Sequence, residues 1–142
     1  MAYEAIETAL INQLQAVENL PRLYKENEDG YLDSTSRKSQ RGSIYCRTTL
    51  QPAEKISETV GIQGFDRLMG FLQVDLFYPQ GKGSLSARKM ADDIVAAFPQ
   101  KDHLDAGTFN IHILKAYIDP GRTTNNHYHI PVQIQWETHI QR

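Results

Sequence analysis

The stretch Met69-Gly-Phe-Leu-Gln-Val-Asp-Leu-Phe-Tyr78 is closed by Pro79-Gln-Gly-Lys-Gly83 and followed by Ser84-Leu-Ser-Ala-Arg-Lys-Met-Ala-Asp-Asp-Ile-Val-Ala-Ala-Phe98. It changes period in the middle. The first part alternates: Leu72, Val74, Leu76 and Tyr78 share one face and Gln73 and Asp75 the other, the two-residue repeat of a strand. Phe71 and Phe77 also fall on the second face, which is therefore less polar than a plain solvent face. The last part repeats at helical spacing, with Ala87, Met90, Ala91, Ile94, Val95 and Phe98 on one side. Pro79 and Gly81 end the strand, Ser84 is placed to cap the helix, and Pro99 follows its end. A strand turning tightly into an amphipathic helix predicts a layered domain, helix on sheet.

Upstream, Ile6, Leu10, Leu14 and Val17 form one apolar stripe, with Glu4 and Glu7 near the start where the helix dipole favours negative charge. Pro21 predicts that this helix has ended by Leu20. Residues 22–28 read as a short strand anchored by Leu23, and Glu28 to Gly42 as a polar loop. Ser43 to Leu50 alternates, with Ile44, Cys46, Thr48 and Leu50 opposite Tyr45, Arg47 and Thr49. Gln51 to Asp66 contains Pro52, Gly61 and Gly64 and reads as a second long connection. Long loops are thus expected at about 29–42 and 51–67.

Downstream, Phe109, Ile111 and Ile113 alternate with polar residues before the parity shifts to Leu114, Ala116 and Ile118; a β-bulge near Ile113 and Leu114 would keep them on one face. Asp119-Pro-Gly-Arg122 and Asn125-Asn126 mark a reversal. Ile130, Val132, Ile134 and Trp136 then form an inward row opposite His129, Gln133, Gln135 and Glu137. Pro131 has no N–H to donate, so its strand is expected at an edge or with a bulge there. The expected architecture is a single α+β domain over residues 1–142. It has a mainly antiparallel or mixed sheet of four to five strands, with two helices on one face. Two helices cannot cover both faces, so the second face, bearing Tyr45, Phe71 and Phe77, is expected to be partly open or covered by a partner.

The 142 residues fit one domain, and 40% hydrophobic with 23% charged residues is an ordinary globular composition. A formal net charge of −2 points to neither nucleic acid nor an anionic membrane as an obligatory partner. No apolar run approaches the roughly 20 residues of a membrane span, and Met1-Ala-Tyr-Glu4 lacks the order of a signal peptide. Cys46 is the one cysteine, so no intramolecular disulfide can form, and a reducing compartment fits.

Residues able to do chemistry are scattered. Gly81-Lys-Gly-Ser84 lacks the glycine of a phosphate loop at position 76 and its Ser or Thr at position 83, and reads as a tight turn. His127 and His129 share a face at alternate strand positions, and His112 and His139 sit on other predicted strands, yet no Cys or His-Glu-x-x-His accompanies them. Asp92 and Asp93 diverge by about 100° on their helix, which suits a solvated face. Cys46 falls on the apolar row of its strand, as a small buried hydrophobe. No Gly-x-Ser-x-Gly occurs. No catalytic, cofactor or metal residue is assigned. Arg37, Lys38 and Arg41 form a basic cluster in the first long loop. Together with Tyr45, Phe71 and Phe77 they are the candidates for a protein interface.

Gly70-Phe-Leu-Gln-Val-Asp-Leu-Phe-Tyr-Pro-Gln-Gly-Lys-Gly83, followed by Ala87 and Met90 to Phe98, resembles the tail terminator family of long-tailed bacteriophages. The N-terminal helix, the polar loop before Ser43 and Pro131-Val-Gln-Ile-Gln-Trp136 are also similar, so the resemblance spans most of the chain. The family's aromatic residue and Asn after the first helix are replaced here by Leu23-Tyr-Lys-Glu-Asn27. The resemblance implies a non-enzymatic protein without cofactors. It also implies a ring, a hexamer in the family, that would cap the tail tube, stop its polymerisation and meet the head connector. Assembly would take place in the host cytoplasm, and the final location would be the head-proximal end of the tail. Two other readings stand beside it: another neck or connector completion protein, and a small metal-binding protein or enzyme using His127 and His129.

Overall fold

The computed structural model describes residues 2–18, 20–24, 44–57, 64–79, 85–100, 103–105, 107, 109–124 and 127–141. The polar loop with Arg37, Lys38 and Arg41, and the turn with Gly81 to Ser84, lie outside them. The elements in chain order are α1 (Ala2–Gln15), β1 (Arg22–Tyr24), β2 (Tyr45–Ser57), β3 (Phe65–Pro79), α2 (Leu85–Ala97), β4 (His103–Asp105), β5 (Asn110–Ile118), β6 (Arg122–Thr124) and β7 (His127–Gln141). The strands among the described residues form one seven-stranded sheet in the order β1-β2-β3-β7-β5-β4, with β6 on β7 beyond the end of β5. Only β1 on β2 is a parallel pair. The α+β class and the mainly antiparallel sheet agree with expectation, and the strand count exceeds it. The additional strands are three residues long, too short to show a period.

The predicted loop at 51–67 is corrected. β2 runs on to Ser57 and β3 begins at Phe65, so much of that span is paired strand. Pro52 lies within β2 because the register between β2 and β3 shifts between Pro52 and Glu54, and a bulge tolerates a residue that cannot donate. Pro131 is also corrected: β7 is central, between β3 and β5, and not an edge. In an extended strand the N and C=O of one residue point to the same side. The Pro131 carbonyl accepts from Asp119 N (2.9 Å), so its nitrogen faces the β5 side as well. There β5 pairing has stopped at Val132 and β6 pairing starts only at His129, so no ladder bond is lost. The bulge expected on β5 is present, between Ile113 and Lys115, with Leu114 as the extra residue.

The inward rows align across the sheet. Cys46, Leu76 and Ile130 are cross-strand partners, as are Thr48, Val74 and Val132, and Leu50, Leu72 and Ile134. The apolar side chains of these rows belong to one core with Ile6, Leu10 and Leu14 of α1 and Ala87, Met90, Ala91 and Ile94 of α2, closed by Phe98 and Trp136. Each fully buried aliphatic side chain contributes about 1.5–3 kcal/mol. α2 lies over β3, β7 and β5, while α1 packs against α2 and β4. The two helices therefore do not lie side by side over the sheet centre. The Gln13 side chain donates from Nε2 to the Ala97 carbonyl (2.9 Å), filling an acceptor left open at the end of α2.

Two expectations follow. Trp136→Ala and Phe98→Ala remove fully buried rings and should each cost about 3–5 kcal/mol in denaturant melts; a loss under about 1 kcal/mol would contradict the core. The Cys46 thiol is buried and donates to the Pro21 carbonyl (3.6 Å), and burial, with the Asp75 charge adding, pushes its pKa up to about 12. A thiol reagent should not react with it at pH 8 until the protein is unfolded. Because the folded pKa is raised, the thiol's stabilisation is complete below the unfolded value of about 9 and is lost as pH rises from there toward 12.

Candidate assembly surface

The face of the sheet turned away from the helices is built around a buried carboxylate. Tyr45 on β2, Phe77 on β3 and His129 on β7 are direct cross-strand partners. Their rings stack in sequence, Tyr45 on Phe77 with centroids 4.7 Å apart and Phe77 on His129 at 4.6 Å. These separations match the roughly 4.7–4.9 Å spacing of neighbouring strands, so the sheet itself sets the stack. His127 meets Tyr45 and Phe77 edge-on, and the Arg47 guanidinium lies 4.7 Å from the Phe77 centroid.

Asp75, two residues from Phe77 and 3% exposed, lies in the middle of the face. His129 Nε2 is 2.7 Å and the Gln73 amide 2.8 Å from its Oδ1, and Arg47 Nε is 3.6 Å from its Oδ2. Burial pushes the Asp75 carboxyl up, but the hydrogen bonds from His129 and Gln73 and the nearby positive charge outweigh it and hold it below the usual carboxylate range. Arg122 on β6 donates from Nε to His129 Nδ1 (3.4 Å). Nδ1 is thereby the acceptor, and Nε2 carries the proton donated to Asp75. Further along, Gln51 and Gln133 both donate to Gln73 Oε1 (3.1 and 3.0 Å), and Gln133 also reaches Asp119 Oδ2 (3.3 Å).

Of the sequence-assigned interface residues, Tyr45 and Phe77 are brought together, Tyr45 half-buried and Phe77 buried at 6% exposure. Phe71 stands six positions from Phe77 along β3, half-buried between Gln51 and Gln135. Arg37, Lys38 and Arg41 lie outside the described residues. His127 and His129 do share a face, but as rings in the aromatic network. Both nitrogens of His129 are engaged, which leaves neither for a substrate proton. Among the described residues no group of three or more His, Cys, Asp or Glu is arranged to hold a metal ion. The role of Asp75 was not read from the sequence, where it counted only as a polar strand position. Its signal was the presence of Gln73 and Arg47 at the same parity. A pair of rings, His103 against His112 at 4.3 Å, arises on β4 and β5, and its β4 member lies on a strand too short to foresee.

Asp75→Ala should leave Arg47, Gln73 and His129 without their shared acceptor inside the sheet, at a cost of about 3 kcal/mol at pH 7. A depressed carboxyl pKa stabilises above its unfolded value of about 3.9 and loses that effect as pH falls below it. The stability gap between wild type and variant should therefore narrow below about pH 4 in urea melts. A gap that widens on acidification would contradict this.

The comparisons with known proteins concern the chain as a whole. One solved structure, at 20% sequence identity, covers 97% of this chain and 96% of its own with a TM-score of 0.72, a likeness of fold. No curated protein matches the sequence. The family model described as phage tail terminator protein matches residues 4–136. That span runs from the first turn of α1 to Trp136 on β7 and takes in both sheet faces described above: the chain belongs to the phage tail terminator family, whose members are structural proteins of the phage tail.

Proposed function

We propose that this protein forms a ring on the growing tail tube, ends its polymerisation and offers the finished end to the head connector. The family match over residues 4–136 carries this reading. Tube subunits present the same surface on each new layer, so their addition has no intrinsic stop, as in any open heterologous assembly. A terminator must bind that surface and replace it with one on which no further tube subunit fits. Such work needs a rigid scaffold with protein-binding faces and no reactive centre. A sheet locked on one side by a core and on the other by the Asp75 network suits it. A ring of six copies, as the family resemblance implies, would leave a central passage for DNA, and a subunit of net charge −2 would not hold phosphate tightly there. Its place would be the head-proximal end of the tail, reached during assembly in the host cytoplasm, with the tube protein and a connector protein as neighbours.

Particles made without this protein should carry overlong tails alongside heads with none. Purified protein added to polymerising tube subunits should arrest growth at amounts far below one per subunit, read as tube length in electron micrographs. Phe71→Asp, on a half-buried position of the sheet face, should keep the fold and lose the arrest. Tails of normal length on infectious particles lacking the protein would end the terminator reading.

A further inference from the structure

The two sides of the molecule differ in charge, and the difference has a matching length. On the helix side, α1 and the turn after it carry Glu4, Glu7 and Glu18 and no basic residue, with Glu4 and Glu18 exposed. The exposed face of α2 is locally balanced, Arg88 and Lys89 beside Asp92 and Asp93. On the opposite side of the sheet, Lys115 and Arg122 are exposed, and Tyr117 is exposed between them at 37%. Lys115 lies 5.2 Å from the Tyr117 ring centroid. Of the acidic groups described on that side, Asp75 is buried in the network, Asp119 accepts from Gln133, Glu137 is half-buried, and the exposed Asp105 stands on the edge strand β4, where it accepts from Gly107 N.

Glu4 lies in the first turn of α1 and Glu18 in the turn that follows its last residue, Gln15, so the two are set apart by roughly the length of the helix, on the order of 20 Å. Lys115 and Arg122 pair with Gln135 and His129, six positions apart on β7, again about 20 Å along a strand. Between the carboxylates α1 exposes Thr8, Asn12 and Gln15; between the cations stands the Tyr117 ring.

We infer that α1 of one copy, with the turn after it, lies across the Lys115–Tyr117–Arg122 strip of the next copy, Glu4 and Glu18 meeting the two cations. The inference rests on the ring reading above. A ring of identical subunits needs two different, complementary patches per subunit, each satisfied by a neighbour. Patches on opposite sides of one sheet meet this condition, because each copy then offers one and receives the other. Exposed charge pairs set orientation and exclude wrong partners more than they add affinity. The Tyr117 ring, desolvated against α1, supplies the apolar centre that such an interface needs.

The test uses two variants of the full chain. Lys115→Glu with Arg122→Glu removes the strip. Glu4→Gln with Glu18→Gln removes the acidic line without placing a cation at either end of α1 or a charge that could pair with the reversed strip. All four positions are exposed, and circular dichroism melts should show both variants folded; Arg122→Glu also removes a hydrogen bond to His129, so Lys115→Glu alone, which leaves that bond in place, is run beside them as a control. Each variant alone should associate more weakly than wild type, on the order of tenfold or more in dissociation constant. Mixed one to one, they should form a pair that grows no further, since only one complementary junction remains. Wild-type association should weaken above about 0.15 M salt. Sedimentation velocity reads all of these. If both variants associate as wild type does, the inference is overturned while the ring stands. If wild type is monomeric at every concentration and on tube ends, the ring reading fails and this inference with it.

Discussion

Every residue of β3 from Phe65 to Pro79 has a partner on β7, from Gln141 back to His127, without a register shift. This pairing is the constraint on which the rest depends. A slip by one residue would turn either the row Leu72, Val74, Leu76 and Tyr78 or the row from Ile130 to Trp136 outward while the other stayed inward, exposing half the centre of the core. The same slip would break the other face, because Phe77 stacks on His129 and Asp75 meets His129 only in this register. Core and network thus enforce one alignment from opposite sides.

Irregularity is confined to the partners of this pair. β2 bulges beside Pro52 and β5 bulges at Leu114, both on strands flanking the central two. A bulge bends its strand and increases its twist, so the extra bending falls on the flanks of an evenly registered centre. Pro131 sits in the central strand without cost because two strands, β5 and β6, share one edge of β7 and leave its nitrogen opposite the gap between them.

For a structural protein of a phage tail the consequence is stiffness. The helix layer packs on one side and a hydrogen-bonded aromatic and amide lattice occupies the other, so neither face has freedom to rearrange on contact. Preformed surfaces lose little entropy on association. The buried Asp75 is costly in isolation; with His129, Gln73 and Arg47 around it, it instead ties β2, β3 and β7 together through side chains.

Local periodicity by itself determined α1, α2, the inward rows of β2, β3, β5 and β7, and the bulge at Leu114, because a repeat of two or 3.6 residues is written into the order of apolar positions. The family, too, was legible, in the run from Gly70 to Phe98 and in Pro131 to Trp136. Only the tertiary structure decided what depends on neighbours distant in sequence. Pro52 and Pro131 look like breakers until their strand partners are known. The strands β4 and β6, three residues each, exist because a longer strand was there to receive them. Asp75, His129 and Arg122 carry no common motif, being 54 and 7 positions apart, and become one unit only where β3, β7 and β6 lie side by side. Hydrophobic order along the chain is a local property; a hydrogen bond between strands depends on the whole fold.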